Sequence, residues 1–150
     1  MKNLYHRGFT LVEIMIVITI IATLAALAIP IFITARMNAN EASAITSCNI
    51  IYTACQSYYT NVMPHTFPSA LDDLGTPTSN PPYLSSNLAI NKQKQGYGFV
   101  YNFVDSESFT LNADPITPGT TGKRYFYVDE SGVIRAKTGG AAGPSDPPIE

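Results

Sequence analysis

From Phe9 to Ile33 the chain runs 25 residues with one charge, Glu13. A helix rising ~1.5 Å per residue over that length crosses the ~30 Å hydrocarbon core of a bilayer with some tilt, so a membrane helix is predicted over 9–33. The hydrophobic pattern then becomes one-sided. Ile45, Cys48, Tyr52, Cys55, Tyr59 and Val62 recur at alternating spacings of 3 and 4, the stripe of a helix packed on a globular head. Asn40, Glu41, Ser43, Ser47 and Gln56 are expected on its polar surface. Together the two stretches predict one helix from about Phe9 to about Asn61. Pro64 closes it, and Pro30 inside it removes the hydrogen bond to the Ala26 carbonyl and kinks it.

After the helix the period changes to two. Residues 69–96 read as a segment wrapping the head, with one helical turn at Ser69–Leu74 and a turn cluster at 76–82. Tyr97, Phe99, Tyr101 and Phe103 then alternate with Gly98, Val100 and Asn102, and Phe109, Leu111 and Ala113 with Thr110 and Asn112. Strands over 124–128 and 133–136 follow, joined by the turn Asp129-Glu130-Ser131-Gly132. Four short strands between turns predict an antiparallel meander with one face on the helix. The aromatic stripe is read as core and packing surface. A surface loop is expected over 114–123, and an extended or disordered tail over 138–150, which is rich in Gly and Pro. The fold class is therefore α+β: a long N-terminal helix packed against a small antiparallel β-meander.

Composition narrows the function. The 150 residues carry nine basic and eleven acidic side chains. Removal of residues 1–8 would take Lys2 and Arg7 and leave seven against eleven, a net charge of −4. A mildly acidic chain is a poor partner for nucleic acid or anionic lipid, and Lys92 and Lys94 read as part of a solvated loop. Cys48 and Cys55 lie seven residues apart on the helix, ~10.5 Å along its axis. A disulfide needs Cα atoms within ~7 Å, so the two are read as separate buried thiols. Paired histidines, a phosphate loop and a nucleophile motif are missing from the sequence. A Cys-His pairing of either cysteine with His65 conflicts with the buried face on which the cysteines fall. No catalytic residue, cofactor or metal is assigned.

Glu13 is the residue that needs explaining. A carboxylate inside a membrane helix costs about 2.5–3.5 kcal/mol on insertion scales and calls for a partner. Cutting the bond after Gly8 would create one, because the new Phe9 amine lies one helical turn away. Two plainer readings leave Glu13 unexplained. One is a secretory signal peptide with Ala26-Leu27-Ala28 as the cleavage site and a released protein starting at Ile29. The other is an uncut single-pass anchor. Lys2, His6 and Arg7 before the span put the short N-terminus in the cytoplasm and the rest outside.

The run Gly8-Phe9-Thr10-Leu11-Val12-Glu13-Ile14-Met15-Ile16-Val17, with Leu24-Ala25-Ala26-Leu27-Ala28-Ile29-Pro30 behind it, resembles the N-terminus of type IV pilins and of the pseudopilins of type II secretion systems. The resemblance covers about the first 37 residues. It implies that prepilin peptidase cuts between Gly8 and Phe9 and methylates the new amine of Phe9. Glu13 then pairs with the amine of a neighbouring subunit, and Pro30 bends the helix. The implied domains are a leader, 1–8; a transmembrane and assembly helix, 9–33; a pilin-like head, 34–137; and a flexible tail, 138–150.

By the same resemblance the product is a homo-oligomeric helical filament, a type IV pilus. Its partners are prepilin peptidase, the inner-membrane assembly machinery and, before assembly, the membrane. The location is the bacterial inner membrane, then the cell surface or, for a pseudopilus, the periplasm. A type II secretion pseudopilin and a monomeric membrane-anchored binding module are the alternatives. Two departures stand out: many relatives have glycine where this chain has Ala22, and many staple a C-terminal loop with a disulfide, whereas no cysteine follows Cys55. Major pseudopilins bind calcium in C-terminal loops, which makes Asp105, Asp114, Asp129 and Glu130 candidate ligands. Their spacing matches no calcium loop.

Overall fold

The computed structural model describes residues 8–76 and 78–149. The chain divides into two compact units, Met1–Ala35 and Arg36–Glu150. Helix α1, Leu11–Asn61, supplies the described residues of the first unit almost entirely and the opening residues of the second.

In the first unit the helix is apolar on every side. All described side chains from Gly8 to Ala35 are exposed except the half-buried Ala25. A helix of that kind is stable only in an apolar surrounding, and α1 is long and apolar enough here to cross a membrane.

In the second unit α1 has one buried face, made by Met37, Asn40, Glu41, Ala44, Ser47, Cys48, Ile51, Ala54 and Cys55. The face is turned from the predicted stripe. Ile45, Tyr52 and Tyr59 are only half-buried and pack at its margin. The contact is centred on small residues, and Ala44, Ser47 and Ala54 allow the closer approach. A pattern weighted toward large side chains misses that centre.

The α+β architecture is as expected, with five strands instead of four. They are β1 (Gln93–Lys94), β2 (Tyr97–Asp105), β3 (Ser108–Pro115), β4 (Arg124–Asp129) and β5 (Arg135–Thr138). They pair antiparallel in chain order. The additional strand, β1, lies in the segment read as a solvated loop. Its hairpin turns on Gln95 (φ 49°) and Gly96 (φ 76°), the positive-φ pair of a two-residue turn that twists with its strands. Gln-Gly is a weaker signal for that turn than Asn-Gly, and two polar residues show no alternation. The last strand begins at Arg135, two residues later than expected, because Ile134 is drawn into the core.

The inner sheet face carries Tyr97, Phe99, Phe109, Leu111, Ala113, Phe126 and Val128, all packed with Ala44, Cys48, Ile51 and Cys55 of α1. Phe109 is the hub: its ring centroid lies 4.8 Å from Phe67, 5.5 Å from Tyr101 and 6.5 Å from Tyr52. Burying such a side chain stabilises by about 1.5–3 kcal/mol. The wrapping segment closes the core's flank with Leu71 and Leu74 of a 3-10 turn (Leu71–Leu74) and Leu88 and Ala89 of a short helix, α2 (Ser86–Ala89).

The tail is not free. Beyond β5, Asn112 Nδ2 donates to the Ala142 carbonyl at 2.9 Å and Arg135 Nη1 to the Asp146 carbonyl at 2.9 Å. The Ala136 N–H donates to the Pro147 carbonyl at 3.0 Å and the Ile149 N–H to the Ile134 carbonyl at 2.9 Å. Of the two expectations for the tail, extended or disordered, its last residues take the extended one along β5, held by bonds that join residues composition cannot pair.

Asn40, Glu41 and Ser47, expected on the polar surface, are buried. Glu41 Oε1 accepts from the Lys123 N–H at 2.8 Å and the Arg124 N–H at 3.2 Å, and Oε2 pairs with Arg124 Nε at 2.7 Å. Asn40 Nδ2 donates to the Thr121 carbonyl at 2.8 Å. Together they clamp the end of the 116–123 loop to the helix. Burial is the largest single influence on the Glu41 carboxyl and raises its pKa, but the Lys123 and Arg124 donors and the Arg124 charge together outweigh it, leaving the pKa below 4.5.

Glu41→Ala strands the Lys123 and Arg124 amides and should cost about 1–3 kcal/mol, read as a lowered thermal midpoint of the full chain in detergent. Because the folded pKa is depressed, the wild type's advantage is complete well above the ordinary carboxylate range and shrinks as the pH falls through the folded value. Identical melting curves for the two proteins at pH 7 would refute the clamp.

Candidate functional site

The N-terminal end of α1 is built around Thr10 and Glu13. The Thr10 N–H and Oγ1 donate to Glu13 Oε2 at 2.8 and 2.9 Å, and the Glu13 N–H donates to Thr10 Oγ1 at 3.2 Å. The Ile14 N–H reaches the Thr10 carbonyl at 3.3 Å. This is a capping box: N-cap threonine and N3 glutamate satisfy each other's exposed donors. Threonine three residues before glutamate was a legible signal for it. The sequence reading looked to the Phe9 amine for a partner and passed over Thr10. Glu13 Oε1 makes no hydrogen bond among the described residues, so the carboxylate keeps one oxygen for a further donor. Phe9 is 83% exposed.

Further along, the span's hydroxyls are satisfied within the helix. Thr19, Thr23 and Thr34 donate to the carbonyls of Met15, Thr19 and Pro30 at 2.7, 2.8 and 3.1 Å. Back-bonding of this kind lets threonine lie in an apolar medium without an orphaned donor. Pro30 stands inside α1, which continues through it. Residues 1–7 of the expected leader lie outside the described residues, and Gly8, expected to be its last position, is exposed.

The remaining candidates do not converge. Asp105 accepts from the Glu107 N–H at 2.9 Å and Asp129 from the Ser131 N–H at 3.0 Å, so both serve as turn residues. Asp114 lies within β3, where burial raises its pKa, and Glu130 is exposed. Among the described residues, no three acidic, histidine or cysteine side chains gather where they could hold a metal. His65 stacks on Tyr59 at 5.5 Å with Nδ1 2.9 Å from the Tyr59 carbonyl. Burial pushes both thiols, Cys48 and Cys55, up to about 12, which removes the thiolate a nucleophile requires.

Residues 3–29 match the family described as the prokaryotic N-terminal methylation motif. The type IV major pilin protein PilA of Myxococcus xanthus (strain DK1622) is 46% identical over 57 residues, which is 38% of this chain and 26% of that protein. The match thus spans about a quarter of the relative's length. No solved structure matches. Capped apolar helix and antiparallel sheet together define a pilin-like α+β chain. Its N-terminal segment carries the methylation motif and is similar to that of the type IV major pilin.

The cysteine geometry predicts that neither thiol reacts with iodoacetamide at pH 8 in the native, detergent-solubilised chain, and that both react once it is unfolded. Labelling of either in the folded state, read by peptide mass spectrometry, would contradict their burial.

Proposed function

We propose that this chain is a subunit of a type IV pilus-like filament. The observation that carries the proposal is a carboxylate with a free oxygen at the capped start of an otherwise apolar helix, inside a methylation motif. Prepilin peptidase cuts between Gly8 and Phe9 and methylates the Phe9 amine. Before assembly the 9–33 helix holds the subunit in the bacterial inner membrane, with the globular unit outside. On the assembly machinery, Glu13 Oε1 takes the Phe9 amine of a neighbouring subunit while Oε2 stays with Thr10. An unmatched buried charge costs about 3–5 kcal/mol, so Glu13 admits a neighbour only at the axial offset that supplies the cation. Pro30, which has no N–H for the Ala26 carbonyl, is the position at which the helix bends to fit a curved bundle.

Assignment to a secretion pseudopilus at the periplasmic face is the second reading. One observation favours it: the C-terminal segment is closed by hydrogen bonds and by Lys137 Nζ at 3.9 Å from Asp146 Oδ1, with no disulfide loop. Surface fibres that disappear on deletion support the pilus. Loss of enzyme secretion without loss of fibres supports the pseudopilus.

Mass spectrometry of the N-terminal peptide from native membranes should find methylated Phe9. Glu13→Ala should abolish filaments seen by electron microscopy while leaving the protein in the membrane fraction. An intact Met1, a start at Ile29, or normal filaments from the variant would each overturn the proposal.

A further inference from the structure

The two edges of the sheet are finished differently. At the β5 edge the tail is bonded along the strand, and Arg135 bridges to Pro148. At the other edge β1 covers only Tyr97 and Gly98 of the nine-residue β2. Next to it the Phe99 N–H donates to the Lys92 carbonyl at 2.7 Å, and the hairpin tip is held by the Phe67 N–H on the Ser106 carbonyl at 3.1 Å. Between these two bonds lie Val100–Val104. Because the Phe99 N–H faces β1 and a strand repeats every two residues, the N–H and C=O groups of Tyr101 and Phe103 face the same edge. They have no backbone partner there among the described residues.

Such edges are ordinarily blunted by lysine, proline or inward charge. Val100–Val104 contains none of these, and the one irregularity in β2, a register shift between Phe103 and Asp105, falls at its far end. Val100, Phe103 and Val104 are instead 52%, 43% and 59% exposed.

The stretch Val100-Tyr101-Asn102-Phe103-Val104 reads aliphatic, aromatic, amide, aromatic, aliphatic in either direction. Laid antiparallel on itself about Asn102, it places Val100 opposite Val104, Tyr101 opposite Phe103, and Asn102 opposite Asn102. Each Tyr101–Phe103 pair then exchanges both N–H···O=C bonds, as residues with outward-facing amides do in an antiparallel ladder. The charges agree with this register. Exposed Lys94 in β1 flanks one end of the open stretch and exposed Asp105 and Glu107 the other, so each basic end meets the acidic end of the opposite copy.

We propose that β2 pairs with β2 of a second copy of this chain about a two-fold axis at Asn102, joining two five-stranded sheets into one. Neighbours in a helical filament are related by heterologous contacts, whereas this one is isologous. It therefore joins heads outside the filament lattice, and it stands independently of the proposed filament.

The test is oxidative cross-linking of the full chain in detergent. Asn102→Cys places two thiols directly opposite each other, and the buried Cys48 and Cys55 stay silent. Under mild oxidation the variant should form disulfide dimers about tenfold faster than Thr120→Cys, an exposed loop control that meets its twin only by collision. Adding Lys94→Glu should slow the reaction, and adding Glu107→Lys to that chain should restore it. Equal rates for the Asn102 and Thr120 variants would overturn the contact. A slowed reaction that the charge swap fails to restore would overturn its antiparallel register.

Discussion

The close contact of one helix face with one sheet face is the constraint on which the globular unit depends. A small antiparallel sheet is marginal by itself, and here its inner face is aromatic and must be covered. Ala44, Cys48, Ile51 and Cys55 supply the cover. Because these are mostly small side chains, the sheet sits close to the helix and the large rings of Tyr97, Phe109 and Phe126 fill the layer between the two. Close packing of this kind leaves little room for adjustment. The clamp from Asn40 and Glu41 to residues 121–124 fixes the same contact at the end where the apolar residues stop.

Polar groups do specific work at two places along the helix, its start and the point where the second unit begins. At its start, Thr10 and Glu13 satisfy each other in a stretch where water is scarce. Where the second unit begins, Glu41 takes three donors at once. In each case a carboxylate lies among apolar residues because local donors offset its desolvation. The difference is completeness: both Glu41 oxygens are engaged within the chain, while Glu13 retains one that is not. The first arrangement holds a fold together, and the second leaves a valence for another molecule.

The sequence displayed some of this plainly. The apolar run, the position of Glu13, the strands from Tyr97 to Val128 and the burial of Cys48 and Cys55 all follow from periodicity, because each involves a repeated contrast between apolar and polar residues. Glu41 was hidden because a charged residue between alanines and asparagines reads as surface unless its partner, 83 positions away, is known. The β1 strand was hidden because Gln93 and Lys94 are polar and its turn is Gln-Gly. The tail's anchorage was hidden for a related reason: composition reports the cost of ordering Gly and Pro, but not the bonds from Asn112, Arg135 and Ala136 that offset it. The methylation-type segment was recognisable because its residues stand at fixed short spacings, although the Thr10–Glu13 cap within it was passed over.

The strand order also has a consequence during synthesis. Every strand pairs with the one made just before it, so the sheet can grow as the chain emerges, with only short loops to close. Its last edge stays unsealed until Pro147, Pro148 and Ile149 arrive to lie along β5. Two consecutive prolines have no amide hydrogen to offer a further strand. Residues 147–149 are thus the ones that end the sheet's capacity to recruit foreign strands on that side, and a chain lacking them would carry that capacity with it.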